Sequence, residues 1–534
     1  MAAMNRPRLS WIRVMVAVIV PVLVAAGGYY GFNWWQSARA EAATKPWFAS
    51  YVDVTATPQY AFEALKSVSD RDVMLSFVVA DPNSACAPSW GAAYSLNDAS
   101  STLDLDRRIA RLEQQKGAVG VSFGGQAHDE LATTCTDVSS LQSAYASVVS
   151  RYDLSTVDFD VEGSNLTDHA AGQRRAEAVA ALQKARRASG HPLAVWLTLP
   201  VSTDGLSTDG TTQVSQFLKA GVDLAGVNAM TMDYGQSKGS SETMAAASEQ
   251  ALQQTQRQLG ILYRMAKTPL SAATLWSKVG ATPMIGQNDI ENEVFSMKDA
   301  STLNAWAVKQ GVGRMSMWSL NRDTTCGTNY PNVSEVSDAC SGVNQNGVLF
   351  ADTLSKGFTG RINDAASKIT TADPSATVQP TDNPATSPYP IWNSQAAYLQ
   401  GTKVVWHHNV YQAKWWTQGD LPDNPVLSAY QTPWNLIGPV LPGEKPIKPI
   451  TLPAGTYPAW SGTATYNTGQ RVLFDGIPYQ AKWWNTGDSP QASSSNPDGS
   501  PWVALKDSEI KAIANAIKQG KPVPSGTSTP SANG

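Results

Sequence analysis

The sequence predicts an α/β chain, a (β/α)8 barrel followed by two small all-β units. Three observations carry that expectation. From about residue 45 to 362, eight β-rich runs alternate with helix-like patterns, the order of a parallel sheet wrapped by helices. Residues 363–388 are then almost only small or polar, with repeated Pro, and cannot build a core. Beyond them, a pattern of Trp, Tyr and Gly recurs at a constant offset of 68 residues, which marks duplicated modules.

The chain is 534 residues long with a net charge of -4 and only 16% charged residues. An average soluble domain carries about 25%. No basic excess is present to neutralise phosphates, so nucleic acid is not an expected partner. Hydrophobic content of 42% argues against general disorder. Tryptophan is abundant: 18 in all, nine of them between Trp392 and Trp502.

Residues 1–44 read as an export segment. Arg6, Arg8 and Arg13 precede an uncharged run of 22 residues from Val14 to Trp35, which as a helix spans about 33 Å and crosses a bilayer. Trp34 and Trp35 suit the outer interface and the arginines the inner side. Ala38-Arg39-Ala40 resembles a signal-peptidase site, so a cleaved signal peptide competes with an uncleaved anchor. The length of the run favours the anchor. Both readings export the remainder, extracellular or held at the membrane.

The β-rich runs of the 45–362 domain are 47–54, 73–80, 118–125, 156–163, 193–200, 226–235, 278–286 and 314–320. Amphipathic stretches such as Leu103–Gln115, Ser140–Tyr152 and Arg174–Ala188 lie between them. An open doubly wound sheet is the competing architecture, but no G-x-G-x-x-G follows the first run to support it. Residues 363–388 are the linker. In the repeat, thirteen identities that begin at Tyr389, Trp392 and Tyr398 and end at Trp434 recur from Tyr457 to Trp502. They define modules at 389–440 and 455–506, each too small for a deep core. Asp507–Lys518 is helix-prone, and 521–534 reads as a disordered tail. Cys86, Cys135, Cys326 and Cys340 lack C-x-x-C spacing, so structural disulfides are expected instead of zinc or redox chemistry. Cys326 with Cys340 and Cys86 with Cys135 is one of three possible connectivities. No metal or cofactor is called for, and the chain is expected to be a monomer.

In the run TVDFDVEG, Asp158, Asp160 and Glu162 alternate with Val157, Phe159 and Val161. Side chains of a strand alternate faces, so the acids form one row and the apolar residues the other. Stacked carboxylates raise the pKa of at least one member, and a carboxylic acid that stays protonated near neutral pH suits glycosidic-bond cleavage. An acidic edge strand or a calcium site is the bland alternative.

Asp158-Phe159-Asp160-Val161-Glu162, with Ser122-Phe123-Gly124-Gly125 one run earlier, resembles the D-x-D-x-E and S-x-G-G motifs of family 18 glycoside hydrolases. Met230-Thr231-Met232-Asp233-Tyr234 and Trp318 match that family's later motifs, so the resemblance spans about residues 45–345. The repeat resembles chitin-binding modules of carbohydrate-binding families 5 and 12. The combination resembles a modular bacterial chitinase acting on chitin or chito-oligosaccharides. The resemblance implies Glu162 as general acid, Asp160 orienting the substrate's acetamido group, Asp158 tuning Asp160, and Trp318 as an apolar floor. Tyr51, Met230 and Asp233 are expected to line the same cleft, and Gln287 and Asn288 to add hydrogen bonds. Two departures stand out. Ser155 replaces an Asp that opens the fuller motif, and Met232 replaces a Tyr whose hydroxyl helps hold the acetamido group. On a regular strand Tyr234 faces the same side as Met232 and is expected to take that role. Asp233 is a second candidate for it.

Trp415-Trp416 and Trp483-Trp484 follow strand-like runs, so one indole of each pair is expected in the core and the other exposed to meet a sugar face. The leading function is an exported, retaining chitinase. A catalytically idle chitin-binding adhesin and an enzyme related to endo-β-N-acetylglucosaminidases are the competing readings. The lack of an obvious insertion between the last two barrel runs suggests an open, endo-acting groove.

Overall fold

The computed structural model describes residues 45–523, apart from 329, 331, 333, 334, 367–369, 374–380, 425, 427, 428, 442, 447–449 and 491–499. The export segment 1–44 and the end of the 521–534 tail lie outside the described residues. Among the described residues no helix is long and apolar enough to cross a membrane. The chain divides into two units, Met1–Thr377 and Val378–Gly534, and the boundary falls within the stretch read as a linker.

Each of the eight β-rich runs of the first unit supplies strand. Trp47–Phe48 and Ser50–Asp53 are followed by Asp72–Asp81, Ala118–Gly124, Thr156–Asp160, Ala194–Ser202, Leu224–Met230, Val279–Thr282 and Arg314–Met315. Neighbours in this order pair in parallel. Trp47 and Phe48 also pair in parallel with Arg314 and Met315, so the 47–53 segment meets the second strand on one edge and the last on the other. The last strand is short, yet backbone bonds from Ser316 N to Ala281 O (2.8 Å) and from Trp318 N to Pro283 O (2.9 Å) carry its pairing further.

Helices separate the strands, among them Leu105–Gln114, Val138–Arg151, His169–Ala188, Thr208–Ala220, Met244–Met265 and Met297–Gln310. Their starts are chemically marked. Asp137, Asp168, Ser207 and Thr243 each accept a backbone N–H of the first turn, and Ser296 forms a capping box with Asp299, which satisfies donors that the helix leaves orphaned. The disulfides join Cys86 to Cys135 and Cys326 to Cys340.

The apolar row of the Thr156–Asp160 strand packs outward. Phe159 is fully buried; it stacks on Phe123 with centroids 5.2 Å apart and meets Tyr145 and Phe217 edge-on at 5.2 and 6.1 Å. Tyr145 and Phe217 belong to the flanking helices Val138–Arg151 and Thr208–Ala220. Burying such a ring stabilises by about 2–3 kcal/mol, and its alternation forces the acids onto the opposite face.

In the second unit the 68-residue offset is a structural repeat. Lys403–Trp406, Asn409–Ala413 and Trp434–Pro439 form one antiparallel sheet; Arg471–Phe474, Ile477–Ala481 and Trp502–Ala504 form another. Val404 pairs with Tyr411 in the first and Val472 with Tyr479 in the second. The indole N–H groups of Trp434 and Trp502 donate to the carbonyls of Asp420 and Asp488, both at 2.8 Å. Asp507–Lys518 is a helix, and its Ile510 and Ile513 pack with Leu452, Tyr457, Leu473 and Leu505. This gives the second module an apolar layer of its own. His407 and His408 form the tip of a hairpin with positive φ, where His407 Nδ1 meets an Asp423 oxygen at 2.6 Å.

Candidate active site

The row of acids projects from the C-terminal end of the Thr156–Asp160 strand, and its innermost member is saturated. Asp158 is fully buried. Its Oδ2 accepts from Ser122 Oγ (2.7 Å) and Tyr51 Oη (2.8 Å), and its Oδ1 from Thr198 Oγ1 and Arg314 Nη1, both at 2.7 Å. Arg314 is itself fully buried and also donates to Tyr51 Oη at 2.9 Å. A buried carboxylate and guanidinium persist only when paired and hydrogen-bonded.

Sequence reasoning missed Arg314, and it missed the roles of Ser122, Thr198 and Asn228, whose amide donates to Thr198 Oγ1 at 3.0 Å. The alternation carried a signal. In Arg314-Met315-Ser316-Met317-Trp318, the first, third and fifth residues share a face, and Arg314 Nε does reach Ser316 Oγ at 2.9 Å.

Asp160, at 4% exposure, contrasts with Asp158. Its Oδ1 is buried and has no hydrogen-bond partner among the described residues. Burial, followed by the neighbouring Glu162 and Asp158, drives its pKa well above the usual carboxyl range, against a lowering by Arg314. The backbone beneath it is pinned by the S-x-G-G segment. Gly125 N donates to Asp160 O at 2.9 Å, and Gly124 sits at φ +102°, where a Cβ would lie 2.0 Å from that same oxygen. Only glycine fits there.

Glu162 continues the extended backbone at φ -139° and precedes the short helix Gly163–Thr167. Burial, then Asp233 and Asp289, push its carboxyl up to about 7. Asp160 and Glu162 therefore both hold protons well above the ordinary carboxyl range. Ser155, the departure at the far end of the motif, bonds Asn363 at 2.9 Å.

Trp318 is partly buried, stacks on Phe77 with centroids 5.5 Å apart, and lies 6.1 Å from the Tyr51 ring. Met230 ends its strand half-buried, paired with Pro200 and Thr282. Asp233 has its carboxylate close enough to Glu162 to raise it, and Oδ1 accepts from Ile290 N at 3.0 Å.

Three expectations are corrected. Tyr51 does not line an open cleft: at 1% exposure, its hydroxyl is spent on Asp158 and Arg314, so it supports the acids from below. Tyr234 does not replace the missing tyrosine. The strand ends at Met230 and Asp233 turns at φ +50°, so alternation no longer applies, and the buried Tyr234 hydroxyl bonds Ser248 on the Met244–Met265 helix at 3.1 Å. Gln287 and Asn288 are buried, and their amide nitrogens donate to backbone carbonyls of their own loop region.

In the second unit both indoles of each pair are exposed: Trp415 45%, Trp416 58%, Trp483 43% and Trp484 62%. The expectation of one buried indole per pair fails because the strands end at Ala413 and Ala481 and the chain bends at the pair. Lys414 and Lys482 place their ammonium groups 5.0 and 4.4 Å from the Trp415 and Trp483 ring centroids. The other five tryptophans of this unit pack inside, fully or in part.

Residues 459–503 match carbohydrate-binding module family 5/12. The chain is 33% identical over 308 residues to a probable bifunctional chitinase/lysozyme of Escherichia coli (strain K12), an alignment that covers 55% of this chain and 33% of that protein. It is 32% identical over 304 residues to endochitinase 11 of Metarhizium anisopliae, covering 54% and 56%. The chain thus spans a third and just over half of the length of these relatives. The catalytic domain of a hyperthermophilic chitinase from Pyrococcus furiosus superposes with a TM-score of 0.50 at 25% identity, over 61% of this chain and 98% of that one.

Proposed function

We propose that this chain is a modular family 18 chitinase that hydrolyses β-1,4 bonds between N-acetylglucosamine units with retention of configuration. One observation carries the reading. Glu162 keeps its proton up to about 7, beside an Asp160 oxygen that is buried and unpartnered among the described residues. A carboxyl so tuned can protonate a leaving glycosidic oxygen near neutral pH.

In the reaction, the substrate's own acetamido carbonyl oxygen bonds to the anomeric carbon as the glycosidic bond breaks, and the leaving oxygen takes the Glu162 proton. The resulting oxazolinium ion is opened by water, whose proton returns to Glu162. This is the substrate-assisted exception to attack by a second carboxylate. The free Asp160 Oδ1 accepts the acetamido N–H and turns the carbonyl toward the anomeric carbon. Asp158, held by Arg314, positions Asp160. Trp318 with Phe77 offers an apolar floor, and Met230 and Asp233 line the cleft.

We assign 45–362 to a closed (β/α)8 barrel, a reading supported by pairing on both edges of the 47–53 segment. Residues 363–388 are the linker, and 389–440 and 455–506 are two chitin-binding modules whose exposed indole pairs meet the polysaccharide. Export follows from the 1–44 segment. One observation favours a second reading, an adhesin with little activity: Met232 offers no hydroxyl and that of Tyr234 is bound to Ser248. Release of chito-oligosaccharides from colloidal chitin decides between them. The unmutated chain is expected to release sugar and Glu162→Gln to release none while still binding chitin beads; no release by the unmutated chain sinks the enzyme reading.

A further inference from the structure

We propose that Glu293 is a positioning residue that fixes Asp233 beside Glu162; the inference rests on Glu162 being the acid of the proposed reaction. Asp233 follows the Leu224–Met230 strand at φ +50°, a left-handed conformation that is unfavourable for a non-glycine residue and persists only where its surroundings hold it.

The hairpin of Gly286–Gln287 and Val294–Phe295 does the holding. Glu293, at 4% exposure, turns its carboxylate onto the backbone just past Asp233. Oε2 accepts from Tyr234 N at 2.9 Å and Oε1 from Gly235 N at 2.8 Å. From the same hairpin, Ile290 N donates to Asp233 Oδ1 at 3.0 Å, and Asn288 Oδ1 accepts from Asp233 N at 3.4 Å. The hairpin is anchored in turn. Gln287 N donates to Ser341 O at 2.8 Å, and Arg322 Nη2 donates to Gln287 O at 2.5 Å. Gly286, at φ +72°, lies so close that a Cβ would come within 1.8 Å of Ser341 O. The place of the Asp233 carboxylate is thus dictated by the hairpin instead of by its own strand.

That place matters electrostatically. Glu162 is raised by burial, then by Asp233 and Asp289, and it raises Asp160 in turn. Asp233 is itself raised by burial, then by Asp289 and Glu293, against a lowering by the Ile290 N–H, while Arg322 faces Asp289, Asp338, Asp233 and Tyr330. Both oxygens of Glu293 are taken up by backbone donors, so it acts through Asp233 and does not touch substrate.

The test is the pH profile of kcat on a soluble chito-oligosaccharide. Gln at 293 offers one acceptor oxygen in place of two, so the turn at Asp233 loosens. For Glu293→Gln, kcat should fall roughly tenfold with KM within about twofold, and the alkaline limb should move down by about half a pH unit or more as Glu162 loses the Asp233 charge. Asp233→Asn should move the limb in the same direction, and adding Glu293→Gln to it should move the limb no further. An unmoved limb with unchanged kcat, or an equal further shift in the Asp233→Asn background, overturns the inference. If Glu293→Gln does not fold, Asn288→Ala removes the other brace and is read by the same limb. An active wild type, an inactive Glu162→Gln and an unmoved limb refute the role of Glu293 alone. An inactive wild type or an active Glu162→Gln overturns the function and this role together.

Discussion

Glu162→Gln should make the protein more stable at alkaline pH, by an amount set by the electrostatics of the site. The folded chain holds the Glu162 carboxyl at about 7 against an ordinary 4.5, chiefly through burial and then through Asp233 and Asp289. Below 4.5 the folded and unfolded chains both keep the proton and the group has no effect. As pH rises, the unfolded chain loses its proton first, so stability falls until the folded chain ionises near 7. The full difference between the two ionisations is about 3 kcal/mol. Glu162 retains some contact with solvent, so about 2 kcal/mol is the expected penalty above pH 8. Glutamine has nearly the same shape and never pays it. In calorimetry of the full chain, the transition of the first unit should rise by roughly 4 °C in the variant at pH 8 and by under about 1 °C at pH 4. The two units need not unfold together, so only a transition that responds to the substitution counts. An equal Tm difference at both pH values would refute the proposed burial of a protonated acid. Activity should move oppositely, with kcat down by at least about 10²-fold.

Other perturbations address the frame around that acid. Arg314→Met should cost about 3–5 kcal/mol in urea unfolding, because Asp158 is left buried without its cation; a cost below about 1 kcal/mol would show that the pair does not hold the sheet. Tyr234→Phe should cost about 1 kcal/mol for the lost Ser248 bond and leave hydrolysis of colloidal chitin near its original rate, whereas a tenfold fall, about 1.4 kcal/mol, would return the hydroxyl to the site. Trp416→Ala with Trp484→Ala should lower retention on chitin beads by more than about tenfold, since each repeat loses an exposed indole proposed to meet the sugar. Unchanged retention would refute the binding surface.

The strands, the row of acids and the duplicated modules were legible because each is a matter of period. Phe159 packs on Phe123, Tyr145 and Phe217 as alternation requires, and the pairs Val404 with Tyr411 and Val472 with Tyr479 repeat the 68-residue offset in register. The same rule misplaced Tyr234 and half of the Trp pairs. In each case the chain had already left the strand, at Met230, Ala413 and Ala481, and a turn at Asp233 or a bend at the indoles reset the direction of the side chains. Gln287 and Asn288 lie in a hairpin, where no period exists to aim them. Arg314 illustrates a different limit. Its face could be read from Ser316 and Trp318, but its partner Asp158 lies 156 residues away, and only pairing between strands far apart in the sequence brings them together.

Three carboxyls that spacing makes equivalent are made unequal by their donors. The four groups that saturate Asp158 come from four different strands, through Tyr51, Ser122, Thr198 and Arg314. Its lone pairs are occupied and its charge is matched. No such set reaches Asp160, whose Oδ1 is orphaned among the described residues, and the charges that act on Glu162 are those of two acids, Asp233 and Asp289. The positive charge at the base of the row lowers Asp160 but does not outweigh burial and two carboxyls. The row therefore runs from a paired anion inside to proton-holding groups at the C-terminal edge of the sheet, where substrate enters in barrel enzymes. A cation placed two positions further out on the same face would favour the ionised forms of the groups that the proposed reaction needs protonated, so the place of Arg314 at the inner end suits the acid role proposed for the outer one.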